Sequence, residues 1–356
     1  MKIVQIVTQM EAGGAQKVAM LLADALRNRG HEVEVCFLYL KRPTYVNFPG
    51  VKVLLKRKPF ALDYVYIIIK LYEYLRSYQP NVLITHTYYS NILGQFLARF
   101  SSINQRIAVQ HNPVYSYPKI AAWADLWMGT MGFYTANVAV SQVVLDSVEN
   151  YPKEYKKNLN KIYNGINFFK AQSSPAEARR RWNLPENSLL LINVGRLAKQ
   201  KNQAILLEAM QHLPEAHLII VGDGELRSFL QKRIIELDLQ QRVHCLGELK
   251  SEEVLELLSA ADIFLFPSLY EAMPIALVEA MSFGLPVIAS DIPPMREILG
   301  DVGILVPVNS IEEIVQAVRQ VINSPRLASY MRENSLKQAY LFSVEKMVES
   351  YEKLFS

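Results

Sequence analysis

The sequence predicts an α/β protein built from two Rossmann-like domains. Three observations predict this. Short apolar runs alternate with stretches of helical periodicity, the pattern of βαβ units that build parallel sheets. The chain has 356 residues, enough for two domains. A fresh series of strands begins after Ser173-Ser174-Pro175 and Pro185, which read as a linker and restart. The expected domains are 1–170 and 171–342, with 343–356 as a terminal helix.

In the first domain, residues 2–8 read as a buried strand and Gln9 to Gly14 as a loop. Val18, Leu21, Leu22, Ala25 and Leu26 recur at helical spacing over 15–28. Gly13 and Gly14 therefore sit at a strand-to-helix turn, where missing side chains let a phosphate approach the backbone. No GxGxxG pattern is present, so the dinucleotide fingerprint is absent. Further strands are expected at 33–39, 51–55, 81–86, 106–111 and 136–141, with a helix over 64–78. Ligands of such sheets bind at the carboxyl ends of strands. His111 and His86 each end a strand, a position where a histidine is more often structural than catalytic.

In the second domain, 189–194 is a strand followed by Gly195-Arg196-Leu197-Ala198-Lys199-Gln200-Lys201-Asn202. Asn202 is expected to cap the next helix. Arg196 and Lys201 thus lie on a loop at a strand's carboxyl end. Residues 217–221 form a strand ending in Gly222-Asp223-Gly224-Glu225, and 243–246 another, ending in Gly247-Glu248-Leu249. Ser251 is expected to cap a helix carrying Glu252 and Glu253 in its first turn. The continuous apolar run 263–266 suits a strand buried on both faces. It delivers Pro267-Ser268-Leu269-Tyr270-Glu271-Ala272-Met273-Pro274 to a helix closed by Gly284. Pro274 fits the first helical position, and 287–289 returns to strand. The free N–H groups of that helix suit an anion such as a phosphate. Glu271 and Glu279 bracket it. Neither would touch an anion held there, so each would accept from neutral hydroxyls beside it. A nucleotide sugar offers that arrangement, a diphosphate between ribose and hexose. A helix at 311–322 follows Asn309-Ser310, and the last helix carries Val344, Met347, Val348, Tyr351 and Leu354 on one face.

Glu271 and Glu279, separated by seven residues, with the flanking Pro267-Ser268 and Gly284-Leu285-Pro286-Val287-Ile288-Ala289-Ser290, resemble the signature of family 4 of the retaining glycosyltransferases. The resemblance extends more weakly over nearly the whole chain. It implies the glycosyltransferase B-type arrangement, two Rossmann-like domains facing across a cleft, with the terminal helix packing back on the first. It implies sugar transfer from a nucleoside diphosphate, with UDP as the family's usual carrier, to an acceptor hydroxyl in glycan, polysaccharide or glycolipid synthesis. It places Arg196 and Lys201 as a diphosphate clamp and His111 near the donor sugar. The donor would lie against Gly13, Gly14, Glu248, Leu249, Glu271, Ala272, Met273, Pro274, Leu277, Val278 and Glu279. Two departures stand out: Glu225 where many members have Pro, and Asn167 where many have Asp. A sugar-nucleotide epimerase or hydrolase of similar build, and a non-catalytic sugar-nucleotide-binding subunit, are the alternatives.

With 51% hydrophobic and 20% charged residues, composition is that of a globular protein. No apolar run nears the roughly 20 residues that span a bilayer, and the first strand is too short for a signal peptide. Cys36 and Cys245 each sit in an apolar run and read as core thiols, which fits a reducing cytoplasm. No Cys/His cluster or Asp-X-Asp motif calls for a metal, and neither a cofactor nor a nucleic acid is expected. Residues 1–170 carry 20 Lys+Arg and 10 Asp+Glu, whereas 171–356 carry 18 and 24. The basic half fits an anionic membrane or acceptor, although such a split also arises as solvated surface charge. Two stretches fit a peripheral membrane contact. Lys56-Arg57-Lys58 precedes the aromatic segment 60–78, and Tyr117, Lys119, Trp123, Trp127 and Phe133 lie in 115–134. Two core-packing helices with solvated ends would give the same pattern. The expected location is the cytoplasm, with peripheral attachment to the membrane's cytoplasmic face and a lipid-linked acceptor among the open alternatives.

Overall fold

The apolar runs close into two parallel sheets. A computed structural model describes residues 1–168 and 173–355. The chain divides into a unit of Met1–Ile166 with Phe342–Ser356 and a unit of Asn167–Leu341. The expected boundary at 170/171 lies outside the described residues.

The first unit runs β1 (Lys2–Met10), α1 (Gly14–Asn28), β2 (Glu32–Leu40), β3 (Val51–Leu55), α2 (Asp63–Tyr78), β4 (Val82–His86), α3 (Tyr88–Arg99), β5 (Gln105–Gln110), α4 (Lys119–Thr130), β6 (Ala136–Ala139) and β7 (Leu159–Lys161). Its sheet has the order β3-β2-β1-β4-β5-β6-β7, every pair parallel. Parallel strands are covered on both faces, which is why Ile3, Val4, Ile6 and Val7 of β1 are all buried. The β1-to-β2 crossover runs one way from the centre and the β3-to-β4, β4-to-β5 and β5-to-β6 crossovers run the other. Right-handed crossovers therefore place α1 on one face and α2, α3 and α4 side by side on the other. Val18, Leu22 and Leu26 of α1 and Ile67, Leu71 and Leu75 of α2 are the buried stripes at helical spacing. Under α4 the buried Asp125 carboxylate accepts from Tyr155 (2.6 Å), Gln110 (2.8 Å) and Tyr134 (3.0 Å). Burial raises its pKa against those three donors.

The last helix, Val344–Glu352, belongs to this unit and packs on α1. Val344, Met347, Val348 and Tyr351 are buried, and Ser343 caps it by accepting from the Lys346 N–H. Ile166 donates to the Phe342 carbonyl and Val344 to the Ile166 carbonyl, each at 2.9 Å. Gly165 is required there, because a Cβ would lie 2.7 Å from the Val344 Cα.

The second unit contains β8 (Leu189–Val194), β9 (Ala216–Val221), β10 (Val243–Gly247), β11 (Ile263–Phe266), β12 (Val287–Ser290) and β13 (Ile304–Val306), all parallel, in the order β10-β9-β8-β11-β12-β13. Leu191, Leu206, Leu218, Ile220, Leu230 and Ile263 belong to one buried cluster spanning sheet and helices. Three local expectations are corrected. Asn202 does not cap a helix; it sits in the left-handed region at φ 53°, after a 3-10 turn over Lys199–Lys201, and Gln203 precedes the helix. Ser251 is the first helical residue rather than the cap, and Glu253 accepts from the Lys250 N–H at 2.8 Å. Pro274 is the capping residue, one position before the helix Ile275–Ser282.

Cys36 is buried, Cys245 is half-buried, and neither forms a disulfide. Burial pushes the Cys36 thiol up to about 12. Among the described residues no helix is long and apolar enough to cross a membrane.

Candidate functional site

In an open parallel sheet, adjacent strands whose crossovers leave in opposite directions open a crevice at their carboxyl ends. In the second unit that point lies between β8 and β11. The loops that follow these two strands are stitched together. Leu269 donates its N–H to the Gln200 carbonyl, and the Gln200 side chain donates to the Tyr270 carbonyl, both at 2.8 Å. The left-handed turn at Asn202 and the bond from Gln203 to the Arg196 carbonyl (3.0 Å) hold the first loop in shape. The result is a direct contact: Lys201 Nζ lies 2.5 Å from Glu271 Oε1. The two side chains are 17% and 8% exposed, and the ammonium also sits 4.8 Å from the centre of the Phe266 ring.

The neighbouring loops converge through glycine. Gly222, after β9, has φ +138°, and a Cβ there would lie 2.0 Å from the Gly195 carbonyl oxygen. Gly224 meets the Leu197 carbonyl in the same way, at 2.4 Å. Gly222 donates to the Gly247 carbonyl (2.8 Å), so the loops after β8, β9 and β10 form one backbone surface. Glu248 is exposed and Leu249 half-buried at its edge. Beside it, the helix Ile275–Ser282 receives no side-chain cap; Leu277 donates to the Pro274 carbonyl at 3.2 Å, and the Ile275 and Ala276 N–H groups ahead of it are the ones that suit a ligand. Glu271 and Ala272 are half-buried in the loop before it, with Met273 and Pro274 buried. Leu277, Val278 and Glu279 are buried on the helix.

Arg196 is placed differently from Lys201. It is 71% exposed and donates to Glu225 Oε2 at 3.0 Å. An ion pair that open to water is weak, so the guanidinium is free to swing to another anion. Glu225, where the family resemblance led to an expectation of proline, is thus the arginine's partner. Sequence reading gave it no role.

In the first unit the corresponding point lies between β1 and β4. Gly13 and Gly14 are exposed at the start of α1, with Gly13 in extended backbone. His86 pairs with Val109 in the β4–β5 register, so His111, two residues on, falls beside it. His86 Nδ1 is 3.0 Å from His111 Nε2, and His86 Nε2 is 2.7 Å from Gln5 Oε1. Burial holds His86 well below its usual pKa and His111 at about 4. Both are neutral at pH 7, and each then carries one N–H. With Gln5 Oε1 as acceptor, His86 carries its proton on Nε2 and accepts at Nδ1 from His111 Nε2–H. His111 Nδ1 is left as an acceptor. The sequence singled out His111, but Gln5 gave no signal, since it reads as one polar interruption in a buried strand. Among the described residues, no group of three or more His, Cys, Asp or Glu is arranged to hold a metal ion.

Two family descriptions together span most of the chain. Glycosyl transferases group 1 matches residues 175–338, and Glycosyltransferase Family 4 matches 12–168. An uncharacterized glycosyltransferase of Methanocaldococcus jannaschii is 30% identical over 239 residues, 62% of this chain and 58% of that protein. The UDP-Gal:alpha-D-GlcNAc-diphosphoundecaprenol alpha-1,3-galactosyltransferase of Escherichia coli is 26% identical over 306 residues, 81% of this chain and 78% of that one. Among solved structures, Anabaena HepE in complex with UDP and glucose matches with a TM-score of 0.86. The match covers 99% of this chain and 98% of that one at 18% identity, a likeness of fold.

Proposed function

The chain belongs to family 4 of the glycosyltransferases, and from that premise we propose that it moves a hexose-type sugar from a nucleoside diphosphate to an acceptor hydroxyl with retention of anomeric configuration. One observation carries the reading: the Lys201–Glu271 pair beside an uncapped helix N-terminus at the switch point of the second sheet. As the bond from the anomeric carbon to the diphosphate breaks, negative charge grows on the leaving oxygens. Lys201 has three N–H donors and gives one to Glu271, so two remain for phosphate oxygens. The Ile275 and Ala276 N–H groups and a swung Arg196 supply the rest, with no metal needed. Glu271 accepts from hexose hydroxyls and Glu279 from the ribose. The acceptor oxygen bonds to the anomeric carbon, and its proton passes to the leaving diphosphate. UDP is the proposed carrier.

The test is a titration of the full chain with UDP, UDP-sugars and their counterparts on other bases, read by thermal shift. Glu279→Ala is expected to weaken binding of the nucleoside diphosphate at least tenfold, with the unliganded Tm kept to within a few degrees. Undiminished affinity would remove the ribose assignment. Chelator is expected to leave transfer intact; a large loss would overturn the metal-free reading. The anomeric configuration of the product, read by proton NMR, decides retention.

A further inference from the structure

We propose that the outer face of α2, α3 and α4 docks on an anionic lipid surface. Each of these helices buries one stripe against the sheet and presents large apolar side chains on the opposite side. Leu62, just before α2, is 86% exposed, and Val65 and Ile69 follow it at the spacing of one helical face. On α4, Ile120 is 83% exposed and Trp123 65%, and Trp127 continues the same line. Phe96 and Phe100 do this on α3, and Phe133 joins the two helices, its ring centre 5.8 Å from Phe96 and 5.3 Å from Trp127. These side chains have no inward alternative. Asp125, on the opposite side of α4, is pinned by Tyr134, Tyr155 and Gln110, so the helix cannot roll its tryptophans under. Large apolar side chains exposed together on neighbouring helices belong against a partner.

Charge identifies the partner. Residues 56–134 hold eight Lys/Arg and three Asp/Glu. All three acids are occupied: Asp63 by Arg57, Glu73 by Lys70, and Asp125 in the buried network. Lys56, Lys58 and Lys119 have no acidic partner among the described residues. Tryptophan and tyrosine beside unpaired lysines, around a core of aliphatic side chains, suit the boundary between acyl chains and anionic headgroups. The exposed apolar residues of α2 lie in its N-terminal half, whereas those of α4 run along the helix from Ile120 to Trp127. The N-terminal ends of both helices follow β3 and β5 and so lie toward the carboxyl edge of the sheet, where Gly13, Gly14 and His111 sit. A docked chain would hold that edge close to the headgroups. The inference does not depend on the proposed transfer reaction, because its readouts need no donor.

Two of the three tryptophans, Trp123 and Trp127, lie on this face; Trp182 is in the other unit. In a Trp182→Phe chain, vesicles containing phosphatidylglycerol are expected to shift the emission to the blue. Acyl-brominated lipid is expected to quench it. In co-sedimentation, binding to phosphatidylglycerol vesicles is expected to exceed binding to phosphatidylcholine alone and to weaken with salt. Lys56→Gln/Lys58→Gln/Lys119→Gln should lower partitioning about a hundredfold, at about fivefold per basic residue. Leu62→Glu/Ile120→Glu should abolish it at unchanged Tm. Absence of binding, indifference to lipid charge, or full binding by Leu62→Glu/Ile120→Glu would overturn the proposal. So would a parent dimer, seen by analytical ultracentrifugation, that this variant converts to monomer, since the face would then be covered by a second copy.

Discussion

Truncating either partner of the Lys201–Glu271 pair should destabilise the second unit, and truncating both should largely restore it. The ammonium and carboxylate are 2.5 Å apart and less than a fifth exposed. Removing one leaves the other charged in a site with little water, at a cost of about 3–5 kcal/mol; the lower end suits a pair with some residual exposure. For a unit of this size, about 1 kcal/mol corresponds to about 2–4 °C in Tm. Lys201→Met and Glu271→Gln should therefore each lower the Tm of that transition by about 6–12 °C. The double variant has no unpaired charge and should return to within about 1 kcal/mol of the parent, so that two losses of about 3 kcal/mol each give a coupling of about 5 kcal/mol. Calorimetry of the four full-length chains measures this cycle. Single variants within about 2 °C of the parent, or additive losses, would refute the reasoning. The same chains separate the two roles. Lys201→Met should weaken UDP about tenfold or more, because phosphate loses its cation. Glu271→Gln should keep affinity for UDP and lose affinity for the UDP-sugar. Equal losses for both ligands in both variants would contradict the division between phosphate and hexose.

Acid should destabilise the first unit through its histidine pair. Both imidazoles titrate below their usual value in the folded chain. As pH falls from about 6.5 toward 4, the unfolded chain takes up protons that the folded one refuses. Stability is thus highest above this window and lost as pH drops through it, by about 3 kcal/mol for His111 alone. Denaturant titrations across pH, with His111→Asn expected to flatten the profile, check the sign. Gly222→Ala should cost about 2–3 kcal/mol and weaken UDP binding, since its Cβ displaces the Gly195 carbonyl and with it the loop bearing Arg196; Tm and affinity unchanged would remove the role given to this crossing. Tyr351→Ala should cost about 3–5 kcal/mol in the first unit, as a fully buried aromatic near α1, measured by the same calorimetry.

The alternation of apolar runs and helical periodicity was enough to read the larger strands, because a strand buried on both faces has no polar face to disguise it. What escaped had little apolar signal. β7 and β13 are three residues each, and the helix Pro325–Ala339 buries only Met331, Ser335 and Ala339 along a polar sequence. At the site, Lys201 and Glu271 were legible as basic and acidic ends of two loops, yet their contact was not. It depends on the Gln200 bonds and the left turn at Asn202, which a helix-capping reading of that asparagine missed. The His86–His111 pair follows from strand register, which one strand's sequence cannot reveal. The exposed tryptophans were ambiguous, because an apolar side chain at helical spacing reads the same whether its face meets the sheet or the solvent.

The strand-like bridge between Ile166 and Ser343 makes the first unit discontinuous. Its first 166 residues leave the ribosome long before the helix Val344–Glu352 arrives to cover α1. During synthesis the nascent chain must therefore hold that helix surface uncovered while the whole second unit is made. The second unit can complete its own sheet in the meantime. Maturation should proceed with the later-made sheet finishing first, and a stalled chain ending near residue 341 should resist protease in 189–306 while remaining open to cleavage around α1.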